Sequence, residues 1–452
     1  MRLTLGIDSS TQGVKAVAWD VDARCVAFSA AVNYGRDLPH YDSPDGFLPN
    51  GDVLVRQADP RMWVEGLDLV LARLQAAGCP MGEIVAIGGD AQQHATVYLK
   101  SLEPLVFSRA TSPIWMDSST SAECAALDRQ FGPRLQSDTG SPAIERFAGP
   151  QIMKFAKEDP TGYANTKRIH LLSSFLASYL VGEDMPIDAG DGAGMNLLNL
   201  KTGAWDAAIC ETVAPGLLSK LPPFVASPGF SRPLRSRFAA YGLRPGIPVV
   251  PFTGDNPASL VGCFAERPGT AVISLGTSDV FFAAMDSFHT DPDGYGHVFG
   301  NPMGGFMSLS CFKNGSLARD RVRRELGVDW TFFDETAWVN AAQGGTLSCR
   351  AFPFFEAEIT PKHAATGIEA NFDWSAAAPD VKVRAIVEGQ VTNMYERTRW
   401  IGSFEEIKVT GGASRSKGIR EAIAAIFRTK VTTLDVTDSA AVGGARLAEV
   451  TV

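Results

Sequence analysis

The chain has 452 residues, 45% hydrophobic and 20% charged, and its 41 basic against 50 acidic side chains leave a net charge of −9. That length exceeds what one hydrophobic core serves, so two domains are expected. The acidic balance argues against general nucleic-acid binding, which needs a basic face to replace counterions. Seven cysteines (Cys25, Cys79, Cys124, Cys210, Cys263, Cys311 and Cys349) are scattered and include no Cys-x-x-Cys. They fit reduced thiols in a cytoplasmic protein and argue against a zinc site. A strand begins at once, which leaves no room for a signal peptide. No uncharged apolar run reaches the roughly 18 residues of a membrane span.

Residues 3–20 read as two strands joined by a polar turn. Leu3, Leu5 and Ile7 alternate along the first strand, and Val14, Ala16 and Ala18 along the second. The turn, Asp8-Ser9-Ser10-Thr11-Gln12-Gly13, presents backbone N–H groups that can cradle an anion. Asp8 can hold Mg²⁺ directly or through water, and Lys15 lies nearby. Ser10, Thr11 and Lys15 are therefore candidate phosphate contacts; a plain surface hairpin with a polar tip is the alternative.

A third strand is expected over 24–32, a loop over 33–60, and a helix from Pro60 with Trp63, Leu67, Val70, Leu71 and Leu74 on one face. Gly78 is the expected stop. A strand over 83–90 then leads into Gln92-Gln93-His94-Ala95. Polar side chains just past a strand end are where α/β folds make ligand contacts. His94 either bonds a ligand hydroxyl or satisfies a buried carbonyl. Residues 113–120 suggest a strand ending in Asp117, a ligand contact or an N-cap, before a helix through Leu127. Arg146 either points inward or pairs with Glu145. An apolar helix is expected over 169–181, and the Gly- and Pro-rich stretch 182–245 suggests a domain boundary between 245 and 246.

The second domain is expected to open with a strand over 247–252 that delivers Asp255 and Asn256 to a helix N-terminus. Asp255 could take a proton from a substrate hydroxyl, or merely cap the helix. The nearby stretch Ser274-Leu275-Gly276-Thr277-Ser278-Asp279 favours the former, because it repeats the strand–turn–strand of the N-terminus. Gly276, Thr277 and Ser278 become candidate phosphate contacts. Two such hairpins facing across a cleft give an actin-type ATP site, and no Gly-x-x-x-x-Gly-Lys-Ser/Thr is present. Residues 341–376 are expected to be loops and 381–401 a long helix. A strand from Ile407 then runs into Gly411-Gly412, where bare backbone lets a flat ring or ribose approach. A strand over 431–434 and a helix over 440–449 are expected to close the second domain.

Taken together these segments resemble the FGGY carbohydrate kinases, nearest to their eukaryotic-type xylulokinase branch. The resemblance runs through Gln92-Gln93-His94, Pro113 to Thr120, Glu145-Arg146-Phe147, Thr253 to Leu260, Ser274 to Asp279, Cys311 to Leu317 and Thr410 to Ser414. It implies two actin-like, ribonuclease-H-like α/β domains, 1–245 and 246–452, flanking a catalytic cleft. It implies ATP-dependent phosphorylation of D-xylulose by a monomer or homodimer, with no nucleic-acid or membrane partner. Asp255 would be the base; Gln93, His94, Arg146, Asp255 and Asn256 would hold the ketopentose. Trp330, Gly411, Gly412, Ala413 and Ser416 would contact the nucleotide, and Asp8 and Asp255 the Mg²⁺. Ala95, where relatives carry glycine, and Arg415-Ser416 depart from the pattern. Outside sugar kinases, an actin-type ATPase that polymerises or clamps peptides would share the hairpins, but it would not need Gln93-His94 and Asp255-Asn256 to converge.

Overall fold

The structure, a computed structural model, describes residues 1–226, 228–338, 349–434 and 438–452. The chain opens with β1 (Leu3–Ser9) paired antiparallel to β2 (Gly13–Asp20), as the alternation of Leu3, Leu5 and Ile7 requires. Strand β3 (Cys25–Asn33) lies antiparallel outside β2. Helix α1 (Pro60–Ala76) then crosses over to β4 (Ile84–Ala91), which runs parallel to β1. Asp59 starts α1 by accepting the Arg61 N–H, and Pro60 suits the first turn. Trp63, Leu67, Val70, Leu71 and Leu74 are buried, and Gly78 at φ +84° follows the helix end.

Two short strands, β5 (Pro248–Val249) and β6 (Thr253–Gly254), pair parallel to β4 and deliver α2 (Asp255–Gly262). The stretch expected to open the second domain thus lies in the first sheet. The edge of β4 away from β1 would otherwise be unpaired, and these segments satisfy its backbone groups.

The second sheet holds β7 (Thr270–Leu275), β8 (Asp279–Met285), β9 (His297–Gly300) and β10 (Phe306–Phe312). Helices α3 (Ser316–Glu325), α4 (Trp330–Ala337) and α5 (Pro379–Thr398) follow. Strand β11 (Glu406–Thr410), helix α6 (Lys417–Phe427), strand β12 (Lys430–Thr433) and helix α7 (Ser439–Glu449) end the chain. The sheet order is β9-β10-β8-β7-β11-β12. Its wiring repeats the first sheet. An antiparallel meander, β1-β2-β3 or β7-β8-β10, continues on its other edge into two parallel strands, β4-β5 or β11-β12. The two halves suggested by the paired hairpins are visible as two copies of one sheet.

Helix α7, expected to close the second domain, instead lies on the first sheet and crosses α2. A Cβ on Gly6 would sit 1.8 Å from the Ala441 carbonyl oxygen, and one on Gly88 2.1 Å from that of Gly444. At the α2–α7 crossing, a Cβ on Gly262 would meet the Ser439 oxygen at 1.8 Å, and one on Gly443 the Ala258 oxygen at 1.9 Å. Ala441, Gly443, Gly444 and Ala445 raise no side-chain ridge, which allows this approach.

Three local expectations also change. Only Ser112–Pro113 of the 113–120 segment is strand. Strand Arg168–Leu171 precedes the helix Leu172–Val181, so the apolar run is divided. Residues 351–354 and 367–370 form an antiparallel pair rather than loops; residues 341–348 lie outside the described residues. Among the described residues no helix is long and apolar enough to cross a membrane.

Candidate active site

Parallel strands end side by side, which brings carboxylates together. Asp8 of β1 is in register with Asp90 of β4, and Thr253 of β6 is in register with Asp90 on the other side. Asp255 follows as the first residue of α2, with Gly254 as the cap, so it is not itself the N-cap. Its Oδ1 accepts the Asn256 backbone N–H at 2.9 Å and Asn256 Nδ2 at 3.1 Å. Asn256 Nδ2 also donates to Gln93 Oε1 at 3.0 Å. The Gln93-His94 and Asp255-Asn256 pairs therefore do converge.

Burial, and then the charge of Asp8, pushes the Asp255 carboxyl up to about 7. Burial raises Asp8 to about 6, with the Asp90 carboxyl and the charge of Lys15 acting the other way. Asp90 is held well above the ordinary range, by burial first and by the charges of Asp8 and Asp255 next. For Asp255 the folded value lies above the ordinary 3.8, so the native state holds this proton the more tightly. The stability it lends is complete below about pH 4 and is lost as pH rises to about 7. Melting temperatures of metal-free wild type and Asp255→Asn should diverge across that window in favour of the variant, then run level. A difference constant from pH 4 to 7.5 would contradict the burial of this group.

The same cluster tests whether Mg²⁺ fits. Asp8 Oδ1 and both Asp90 oxygens are buried without a hydrogen-bond donor. Among the described residues no three His, Cys, Asp or Glu side chains are placed to enclose an ion by themselves. An ion that keeps several waters and takes phosphate oxygens suits such a partial set, and Mg²⁺ is of that kind.

His94 has a left-handed backbone, φ +72°, a costly conformation for a residue with a Cβ and one found most often at ligand sites. Its Nδ1 lies 3.0 Å from the Gly194 carbonyl oxygen. A carbonyl only accepts, so Nδ1 bears the proton and Nε2 presents a lone pair. Both readings of this residue hold in part: one nitrogen satisfies a buried carbonyl, and the other has no partner among the described residues. The ring stacks on Phe147 at 4.4 Å and 21°. Burial, then the Arg146 charge, keeps it neutral. Arg146 forms no ion pair with Glu145; burial lowers its pKa, and its charge acts on His94, His297 and Cys311. His297, a residue the sequence did not single out, comes from β9 in the second half. It binds Ser141 Oγ through Nδ1 at 3.0 Å, and burial followed by Arg146 lowers it to about 3.

The two hairpin turns differ in what they leave free. The Ser10 hydroxyl bonds the Gly13 oxygen at 3.0 Å within its own turn. The Thr11 hydroxyl accepts Trp115 Nε1–H at 2.8 Å. Lys15, opposite Asp8 across the hairpin, pairs with Asp438 before α7. Its ammonium is thus shared rather than left for phosphate, because α7 returns to the first sheet. In the second hairpin Thr277 is exposed and the Ser278 hydroxyl reaches the Lys313 oxygen at 3.4 Å.

A cavity of about 700 Å³ opens beside the second hairpin. Gly276 and Thr277 of the repeated hairpin line it, together with Trp330, Gly412, Ala413 and Ser416, which the resemblance gives to the nucleotide. Gly411, at φ +87°, stays outside the lining and makes the turn that admits it. Trp330 is 51% exposed, with Phe333 steeply inclined to it at 5.4 Å and the Arg323 guanidinium over its ring at 5.0 Å. Asp334 was not foreseen: it accepts the Ser416 hydroxyl and, at 2.9 Å, the Gly418 N–H, tying the start of α6 to α4. Asp117 is not the N-cap of the following helix, which begins after Thr120. It is buried and accepts from Arg56 N, Ser119 N, Ser119 Oγ and Gln151 Nε2. Those four bonds bend the chain into the turn that replaces the expected strand.

Residues 3–262 match the N-terminal domain of the FGGY family of carbohydrate kinases, and residues 271–452 match its C-terminal domain. The chain belongs to that family. It is accordingly a phosphotransferase that uses ATP. Xylulose kinase of Rattus norvegicus is 38% identical over 475 residues, covering 98% of this chain and 87% of the relative. Xylulose kinase 2 of Arabidopsis thaliana is 35% identical, with 98% and 86% covered. The solved xyloylose kinase of Brucella ovis superposes with a TM-score of 0.84 at 24% identity, covering 100% of this chain and 90% of that one. Xylulose kinase of Bifidobacterium adolescentis gives 0.83 at 22%, with 100% and 92% covered. These structures share the two-domain α/β fold.

Proposed function

We propose that this FGGY kinase transfers the γ-phosphoryl group of ATP to the terminal hydroxyl of D-xylulose. The carrying observation is the Asp255 carboxylate, fixed by Asn256 and Gln93 at the end of the first sheet, beside Asp8 of the phosphate hairpin. The xylulose kinases among its relatives point to the same sugar.

Phosphoryl transfer has a loose transition state, so positioning and charge neutralisation carry most of the catalysis. Gln93, His94, Arg146 and Asn256 hold the sugar, His94 accepting a hydroxyl through Nε2 and Arg146 donating to oxygens. Asp255 orients the terminal hydroxyl and takes its proton late. The turns at Ser10-Thr11 and Gly276-Ser278 face the phosphates, while Trp330, Gly412, Ala413 and Ser416 hold the nucleoside. Asp8 and Asp255 are the candidate ligands of Mg²⁺, which supplies charge neutralisation on the phosphates when bound. Residues 1–245 carry the sugar contacts Gln93, His94 and Arg146, and residues 246–452 carry Asp255, Asn256 and the nucleotide wall. The seven free cysteines suit a reducing, cytoplasmic setting.

An ADP-release assay over D-xylulose, D-ribulose, D-fructose and glycerol tests this, with D-xylulose expected to give the highest kcat/KM and sugar-free hydrolysis to be slow. Ala95, buried next to His94, adds a methyl group where relatives have none and favours the second reading, a kinase for another ketose or a polyol. A higher kcat/KM with any of the other sugars would establish it. Filaments formed with nucleotide, without sugar-stimulated ADP release, would establish an actin-type ATPase instead. His94→Ala should weaken sugar binding about 5- to 150-fold, the equivalent of about 1–3 kcal/mol for unpaired buried polar groups. Nucleotide affinity should stay within twofold. Equal loss of both in calorimetric titrations would remove His94 from the sugar site.

A further inference from the structure

Asp90 has no task in the reaction outlined above. Its side chain is 0% exposed, and no amide, hydroxyl or cationic donor reaches either carboxyl oxygen; its one hydrogen-bond partner is the Asp8 carboxyl, itself an acid. Among the described residues the other buried aspartates each keep at least one such donor, although Asp191 Oδ1 has none. Asp117 accepts four such bonds and Asp279 is clamped by Arg319. Asp188 accepts two backbone N–H groups and Asp291 three. Asp191 keeps the Ser173 hydroxyl on one oxygen. Among the described residues Asp90 is the aspartate with both oxygens buried and no partner but another acid. A carboxyl group in that position is costly to bury unless something absent from the bare chain satisfies it.

The surroundings limit what that partner can be. Asp90 lies beside Asp8 in register on parallel strands, so both side chains stand on one face of the sheet. Asp8 also has an unpartnered buried oxygen, Oδ1. The nearest cation on that face, Lys15, is paired with Asp438. Two adjacent acids, with three buried oxygens that no other donor reaches, suit a small, hard cation.

We propose that Asp8 and Asp90 together form a two-carboxylate site that takes up one divalent cation, Mg²⁺ or Mn²⁺, before nucleotide binds. Asp255 and water would take the remaining positions around the ion, and phosphate oxygens would replace the water when nucleotide arrives. This deepens the phosphoryl-transfer reading and rests on it for the purpose of the ion. The binding step itself needs neither sugar nor nucleotide.

Titration of the nucleotide-free, full-length protein with Mn²⁺, followed by electron paramagnetic resonance of the free ion, tests the site. Wild type should bind one Mn²⁺. Asp90→Asn, near in size, should lower the affinity at least tenfold, and Asp90→Ala should do the same. Circular dichroism and melting in EDTA identify a variant that fails to fold, and the other variant then decides. Mn²⁺ should raise the melting temperature of wild type and leave that of a folded Asp90 variant nearly unmoved. Absence of nucleotide-free binding in wild type, or wild-type affinity in a folded Asp90 variant, overturns the site. Because no turnover is read, a negative sugar panel leaves this result standing, and loss of the site leaves the panel result standing.

Discussion

Asp255→Asn is expected to lower kcat by about 10²–10⁴-fold, the usual worth of a positioned general base. The substitution keeps the side-chain size and one oxygen for the Asn256 donors at 2.9 and 3.1 Å, so the start of α2 should hold its shape. What it removes is the group that takes the proton. Sugar KM should change little, since Gln93, His94, Arg146 and Asn256 stay in place. A loss confined to kcat marks a contribution made in the transition state. The variant should melt no lower than wild type at neutral pH, because burial already disfavours the charge at this position. Turnover within tenfold of wild type at saturating sugar and ATP would remove Asp255 from the chemistry and leave it a helix residue.

The second large effect is structural. Arg319 on α3 grips Asp279 with two bonds, Nη1 to Oδ2 at 2.7 Å and Nη2 to Oδ1 at 2.8 Å. It also donates to Ser316 Oγ at 2.8 Å and to Gln390 Oε1 on α5 at 3.1 Å. Asp279 directly follows the Gly276-Thr277-Ser278 turn, so this pair sets the turn against two helices. Both partners are almost fully buried. Arg319→Met leaves a buried, unpaired carboxylate and should cost about 3–5 kcal/mol in chemical denaturation. The double change Arg319→Met with Asp279→Asn should recover part of that loss, because the stranded charge is gone. A single variant within 1 kcal/mol of wild type would show that the pair is not needed for stability.

Features written locally in the chain were legible. The alternation of Leu3, Leu5 and Ile7 specified β1, and the spacing from Trp63 to Leu74 specified α1, because each pattern expresses the period of its own element. The repeated strand–turn–strand at 270–283 announced the second sheet, and the Gly411-Gly412 pair marked the cavity, although only Gly412 of the two lines it. Features that depend on register between distant strands were not legible. Asp90 looked like an ordinary strand end, since nothing local tells that β1 places Asp8 beside it. Lys15 looked free for phosphate, since Asp438 meets it only after α7 has returned to the first sheet. Ile114-Trp115-Met116 read as strand on apolar content alone, and the four donors that fold the chain around Asp117 come from residues 56, 119 and 151.

At the crossing of α2 and α7 main chain rests on main chain, with no side chain between Gly262 and Gly443. Side chains tie the joint beside that contact: Ser439 Oγ meets Ser259 Oγ at 3.2 Å, and Arg446 reaches the Val261 carbonyl and pairs with Glu266 at 2.8 Å. Asp255 stands at the far end of α2, about 10 Å from Gly262 at the helical rise. A side chain at Gly262 or Gly443 would push these helices apart and move the helix that presents Asp255.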